Sequence, residues 1–351
     1  MLLGIEIGGT KLQLGVGAGD GSPLVALDRH TVEPAGGAVG ILARIESATA
    51  ALLQRYPIKR IGIGFGGPVN SAAGRIIRSH QIEGWQDFPL VDWFQRTFGL
   101  TAILGNDCDV AGLAEARFGA GRGRRVVFYV TIGTGVGGGL AIDGQIYRGR
   151  GIAVAEIGHL RPGLHADRPD ETVESLASGW GIAAAAQSRL SDPIYHPFPS
   201  LREEGAVARP DELRRRMVEV EEVAEEFAAD LLDRADGKLD QVTAKLIAQA
   251  AGEGNQLALD VLNHTCQVLG WAIAQVITLL SPDAVVVGGG VSQIGESLLF
   301  APLRAEVERY VFPPLLRSYE ILPSLLGEEV VVHGALALAA TAPKETNHGL
   351  H

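Results

Sequence analysis

Cysteine is nearly missing from this chain: Cys108 and Cys266 are the only two among 351 residues. That excludes a disulfide framework and a four-cysteine zinc site, and it points to a reducing, cytoplasmic setting. Basic residues are in deficit, 30 Lys and Arg against 41 Asp and Glu, for a formal net charge of −11. Non-specific nucleic-acid binding needs basic surface to replace phosphate counterions, so no nucleic-acid partner is expected. No long apolar run is present either. The most apolar stretch, near Val268 to Leu280, spans about 13 residues, shorter than a membrane span requires and suited to a buried helix. Leu2 and Leu3 run directly into Gly4 and Glu6, without the basic and apolar regions of a secretory signal. A soluble protein without a membrane partner is expected. With 46% hydrophobic and 20% charged residues, the chain can bury large cores and has length for two domains.

What it has in abundance is glycine, 46 residues, concentrated in turns that follow apolar runs. Val126 to Ile132 is β-branched and aromatic and reads as a buried strand. Gly133, Thr134, Gly135, Val136, Gly137, Gly138 and Gly139 follow, then a second apolar run. The turn is expected to hold several positions at positive φ, which glycine alone adopts freely. Its peptide N–H groups can converge on an anion such as a nucleotide phosphate. A lone glycine turn is equally a hairpin that binds nothing. The N-terminus repeats the grammar: a strand through Ile7, the turn Gly8, Gly9, Thr10 and Lys11, then a strand through Val16. Two copies suggest duplicated lobes presenting two phosphate loops to one cleft.

Alternation along the first strand puts Glu6 on the face opposite Leu3, Ile5 and Ile7, beside the turn where a metal-bound phosphate could lie; taken alone it reads as a solvent-facing carboxylate. Gly40 to Tyr56 carries apolar residues at helical spacing, and Pro57 closes it. Ile58 to Gly64 is a strand ending in a turn with Gly66 and Gly67. Ser79 to Trp85 is a polar loop that can face a hydroxylated ligand, though an ordinary surface loop is the default. A strand over 100–104 leads to Asn106, Asp107, Cys108 and Asp109, with a helix expected from about Val110 to Phe118. A cap explains one polar residue there, yet three crowd the junction. The helix dipole would hold such a carboxylate ionised, a useful state for a general base.

Glu156 and His159 are three apart and share a face if that turn is helical. Thr172 begins a helical region continuing to Leu190. Leu213, Met217, Val220, Phe227 and Leu231 form the seam of a long acidic helix, best read as plain packing, with a lid or dimer contact as alternatives. Two helices, 239–251 and 256–280, precede a strand at Ala284 to Val287 and the turn Gly288, Gly289, Gly290. A glycine turn at a strand's carboxyl end is where α/β folds place ligands, and missing side chains would admit a base or ribose. Val330 to Ala340 reads as a short strand and a small-residue helix.

In this order the pieces resemble the ROK family of sugar kinases, within the actin/hexokinase-like ATPase superfamily. The carriers are 7–11, 64–69, Asn106-Asp107 with 114–119, 133–139, 156–159, Glu174 with Ser178-Gly179, and 288–291. The resemblance implies an α/β, two-lobed, ribonuclease H-like ATPase fold, a duplicated mixed-sheet core with a cleft between lobes. The smaller lobe would be 1–118 with about 330–343 returning, the larger 119–329, and 344–351 a tail. It implies that Asp107 takes the proton from a sugar hydroxyl attacking the ATP γ-phosphate. Asn106, Glu156, His159 and Glu174 would hold sugar hydroxyls, with Gly66 and Gly67 lining that pocket. Gly8, Gly9, Thr10, Lys11, Gly133, Thr134, Gly135, Gly137 and Gly138 would hold phosphates, and Gly288, Gly289 and Gly290 the adenosine. ATP and Mg²⁺ are the implied cofactors and a homodimer the implied assembly.

Two departures stand out. The family usually has Asp at the Glu6 position, where the carboxylate helps hold Mg²⁺; Glu is one methylene longer and Mg²⁺ demands octahedral geometry. The family's cysteine cluster after the Gly-His pair is absent between Leu160 and Val173, so structural zinc is not expected; His165, Asp167 and Asp170 match no zinc spacing. Glu6 therefore leaves two functions in play: a hexose or N-acetylhexosamine kinase, or a catalytically weak sugar-binding sensor without a DNA-binding module.

Overall fold

A computed structural model describes residues 1–79, 81–150, 153–163, 168–191 and 225–341. The first sheet is built from β1 (Leu2–Ile7), β2 (Lys11–Gly17), β3 (Ala26–Thr31), β4 (Arg60–Phe65) and β7 (Thr101–Asn106), in the order β3-β2-β1-β4-β7. The short β5 (Val69–Asn70) and β6 (Arg75–Ile76) pair only with each other. The second sheet holds β8 (Val126–Ile132), β9 (Val136–Ile142), β10 (Gln145–Ile146), β11 (Ala284–Gly288) and β12 (Glu320–Pro323), ordered β10-β9-β8-β11-β12. Both sheets have the same plan. An antiparallel three-strand meander occupies one side, and two parallel strands are added to the first strand of the hairpin. The repeated strand–turn–strand grammar is thus a duplicated mixed-sheet core.

The helices are α1 (Gly37–Arg55), α2 (Leu90–Phe98), α3 (Asp107–Arg117), α4 (Val173–Ala177), α5 (Gly179–Ser191), α6 (described over 225–234), α7 (Ala244–Gly252), α8 (Gln256–Leu280), α9 (Ala301–Tyr310) and α10 (Val330–Thr341). α1, with its preceding 3₁₀ turn, is long and apolar enough by composition to cross a membrane. Its Ile41, Ile45, Ala48 and Leu52 instead pack into the first core with Leu3, Ile5, Ile61 and Ile63. A larger core joins β8, β9 and β11 to α4, α5, α7 and α8. A third runs between the sheets, where Val110, Ala111 and Leu113 of α3 meet Val127, Tyr129 and Val286 on one side and Val330, Val331 and Ala335 on the other.

The structure corrects four expectations. Val330 to Val332 form no strand; they open α10, which is buried from Val330 to Ala339. Tertiary packing overrides β-branched propensity here. α10 lies on β1 and β4, and added Cβ atoms at Gly4, Gly62 and Gly334 would meet Val332, Ala335 and Val110 backbone oxygens. The helix expected from about Val110 starts at Asp107, because the Asn106 side chain accepts the Cys108 and Asp109 N–H groups and sets the cap three residues earlier. The region from Thr172 to Leu190 breaks at Ser178, extended at ψ 170, into α4 and α5. The 239–251 helix is a 3₁₀ turn, Leu239–Gln241, followed by α7. The helix seam at Leu213, Met217 and Val220 and the tail 344–351 lie outside the described residues; Phe227 and Leu231 of that seam pack on the larger core.

Candidate functional site

The first hairpin sets an ion pair buried on its acid side. Register places Glu6 opposite Gln13, so the two side chains share a face. Glu6 is 5% exposed; its carboxylate accepts from Gln13 Nε2 at 2.8 Å and pairs with Lys11 Nζ at 3.1 Å. The solvent-facing reading of Glu6 is therefore corrected. Burial pushes its pKa up to about 7 against the opposing pull of Lys11 and Gln13, with Asp107 adding to the rise. Lys11 also pairs with Glu328 at 3.2 Å. Gln13 is a site neighbour that the motif reading missed, although alternation from Lys11 to Gln13 to Gly15 carried the signal. Thr10 is exposed, and Gln81 crowds Gly9, where a Cβ would strike its amide oxygen. The loop read as polar at 79–85 is anchored by Trp85, 1% exposed and stacked edge-on to Phe65 and Phe88; His80 lies outside the described residues.

At the carboxyl end of β7, Asn106 caps α3 and donates through Nδ2 to Gly67 O at 3.1 Å, holding the Gly66–Gly67 turn. Asp107 Oδ1 accepts the Cys108 N–H at 2.9 Å, while Oδ2 faces Gly66, 3.3 Å from where a Cβ would stand. Desolvation pushes the Asp107 pKa up, the Cys108 hydrogen bonds oppose it, and Glu156 adds to the rise. Asp109 is pushed up to about 7 by desolvation, opposed by Arg148 and reinforced by Glu156 and Asp107. Arg148 carried no signal in the sequence.

The second hairpin works differently from its reading. None of Gly133, Gly135, Gly137, Gly138 or Gly139 lies in the left-handed region. Gly135, Gly137, Gly138 and Gly139 are required by close approach. A Cβ at Gly135 would strike the Glu174 carboxylate, at Gly137 the Cys108 sulfur, at Gly138 the Ala155 oxygen and at Gly139 the Cys108 oxygen. Gly133 has open space, and Thr134 is exposed. Glu174 Oε2 accepts the Val136 N–H at 3.0 Å, and Gly179 N donates to Gly133 O at 2.8 Å, so α4 and α5 dock on the hairpin. Glu156 caps a 3₁₀ turn, Ile157–His159, of which His159 is the last residue, and both are exposed. Desolvation raises the Glu156 pKa, His159 lowers it and Glu174 raises it. Gly289, at φ 87, backs onto Ile132 just before Gly133, and Gly288 backs onto the Tyr129 hydroxyl.

The structure thus brings Asn106, Asp107, Gly66 and Gly67 together at one sheet edge, and places His159 and Glu174 each within electrostatic reach of Glu156 beside the second hairpin. Asp107 feels the charge of Glu156, and Glu6 feels that of Asp107. Among the described residues no group of three His, Cys, Asp or Glu is preassembled for a metal; His165 and Asp167 lie outside them. One or two carboxylates suffice for Mg²⁺ when phosphate oxygens and water complete the shell; of Glu6, Oε1 pairs with Lys11 and Oε2 accepts from Gln13.

Known proteins share this chain's fold and family. A glucokinase of Thermotoga maritima is 28% identical over 337 residues, covering 96% of each chain. A glucokinase of Halalkalibacterium halodurans is 30% identical over 342 residues, covering 95% of this chain and 92% of the relative. The crystal structure of a ROK family glucokinase from Streptomyces griseus with glucose and AMPPNP superposes with a TM-score of 0.76 at 29% identity, covering 97% of this chain and 99% of that one. The fold is accordingly that of the actin/hexokinase-like sugar kinases. The ROK family matches residues 2–342, and with this sheet plan and these loops the chain belongs to the ROK family.

Proposed function

We propose that the protein transfers the γ-phosphate of ATP to a hydroxyl of a hexose or N-acetylhexosamine, with Asp107 as general base. The observation that carries the reading is the position of the Asp107 carboxylate. It faces Gly66 and lies in electrostatic contact with both Glu156 and Glu6. An acceptor hydroxyl held by Glu156, His159, Glu174 and Asn106 over Gly66 and Gly67 would reach it from one side. Phosphates held by Gly8, Gly9, Thr10, Lys11 and the 133–138 turn would reach it from the other.

Phosphoryl transfer is mainly positioning and charge neutralisation. A raised Asp107 pKa brings the base closer to the hydroxyl proton it accepts, which favours transfer. Glu6 would hold Mg²⁺, which supplies charge neutralisation at the phosphates. Gly288, Gly289 and Gly290 would receive the adenosine; Gly288 and Gly289 back onto Tyr129 and Ile132 of the second hairpin, and Gly290 has open space. We divide the chain into lobes 1–118 with 330–343 and 119–329, closing over the ligands to exclude water, and infer a cytoplasmic homodimer.

The test is ATP turnover with Mg²⁺ against glucose, mannose, fructose, N-acetylglucosamine and N-acetylmannosamine. Turnover with one of them supports the kinase. Sugar binding with no turnover on any supports the sensor, a reading favoured by one observation: Lys11 and Gln13 already occupy both oxygens of Glu6.

A further inference from the structure

The chain crosses between the two sheets twice. It leaves α3 for β8 through residues 118–125 and returns from β12 to α10 through residues 324–329. One side chain binds both crossings. Glu115, in the last turns of α3, is wholly buried. Its Oε2 accepts the Ala120 N–H at 2.7 Å, on the outgoing crossing. Its Oε1 accepts the Ser324 hydroxyl at 2.6 Å and the Leu325 and Leu326 N–H groups at 3.0 Å each, on the return. Gly119 has no room for a Cβ beside that carboxylate. A carboxyl group whose two oxygens accept four hydrogen bonds is a geometrically defined junction, since each donor fixes one segment of backbone or side chain against it.

α3 connects this junction to the site. Asp107 stands at its first turn and Glu115 eight residues on, about 12 Å away at 1.5 Å per residue. From the other side, Ser324 N donates to Val287 O at 2.9 Å, directly ahead of Gly288. The helix packs on α10 and on β8 and β9, so it lies between the parts that must move. We propose that Glu115 is a positioning residue, the pin that couples the two crossings, so that the sheets close on sugar and nucleotide as rigid bodies about one axis. The proposal rests on the kinase reading for its consequence in catalysis, but not for its consequence in the free protein.

A pin makes a claim that bare packing does not: without it, the unliganded protein samples more inter-sheet angles. Spin labels at Ser47→Cys on α1 and Gln249→Cys on α7, both exposed positions, report the distance between sheets. The native thiols compete little, since burial pushes Cys108 well up and Cys266 to about 12. In the free protein, Glu115→Gln is expected to broaden the distance distribution, because an amide offers one acceptor where two oxygens serve four donors. If the protein turns over a sugar, KM rises about tenfold or more with kcat changed less, the signature of a smaller closure-competent fraction. Ser324→Ala removes one bond of four and should broaden the distribution by a smaller amount, while Ser324→Thr, which keeps the hydroxyl, restores it. Should Glu115→Gln not fold, the Ser324 pair decides alone. Unchanged widths in these variants overturn the pin, whatever the kinetics. Absence of turnover in a wild type of narrow distribution overturns the kinase reading and leaves the pin standing.

Discussion

Lys11 Nζ lies 3.1 Å from Glu6 Oε1, with the carboxylate side chain 6% exposed and the ammonium side chain 39% exposed. The pair is lopsided: the acid has lost its water and the base has kept part of its own. Burial therefore outweighs attraction, and the Glu6 pKa rises to about 7. A folded-state pKa above the unfolded one means that the native state binds the extra proton. The stabilisation is complete below about pH 4.5 and is lost as pH rises through about 7. Glu6→Gln, which cannot ionise, should gain on the wild type by up to about 3 kcal/mol between pH 5 and pH 8. Denaturant unfolding of both proteins at the two pH values measures this. Parallel pH dependences would show that Glu6 is ionised throughout.

The glycines of the second hairpin divide into those required by packing and one left for a ligand. Gly138→Ala drives a methyl group into the Ala155 carbonyl, backbone that cannot step aside, and should cost about 1–3 kcal/mol. Gly133→Ala meets nothing within 4 Å and should stay within about 0.5 kcal/mol of the wild type. If phosphate approaches that turn, Gly133→Ala should raise the KM for ATP while leaving the melting temperature alone. Thermal melts beside ATP titrations separate the two effects.

α10 rests on the first sheet through a glycine contact. A Cβ at Gly62 would overlap the carbonyl of Ala335, so Gly62→Ala must push the helix off β1 and β4. A loss of about 3 kcal/mol is expected, as for overpacking at the upper end of its range. Urea unfolding checks it. A neutral substitution would mean that α10 docks more loosely than this close approach implies.

The fold was legible where local pattern and tertiary role agree. Leu3, Ile5 and Ile7 alternate, and their strand is where alternation places it. The duplicated plan showed in two glycine turns following apolar runs. Legibility failed where burial overrode local preference. Val330 to Val332 read as strand, yet the helix they open is enclosed by β1, β4 and α3, and propensity yields to packing. The glycines at 133–139 were recognised for their absent side chains but assigned the wrong cause, because positive φ is a local property and crowding by Cys108, Ala155 and Glu174 is not. Glu6 misled for the same reason: alternation gives the face of a strand, and what covers that face comes from Gln13, Lys11 and the distant turn bearing Glu328. Glu115 bonds to residues 324–326 across more than 200 positions, and no spacing rule reaches that far.

The central claim is that Asp107 takes the acceptor proton. Its most direct measurement compares wild type and Asp107→Asn in two assays on one sugar of the panel: ATP-dependent phosphorylation, and sugar binding by calorimetry. The account predicts a loss of turnover of about 10²–10⁴-fold with sugar affinity retained within a few-fold. Turnover that survives the substitution, or turnover and binding lost in equal measure from a folded protein, would contradict it.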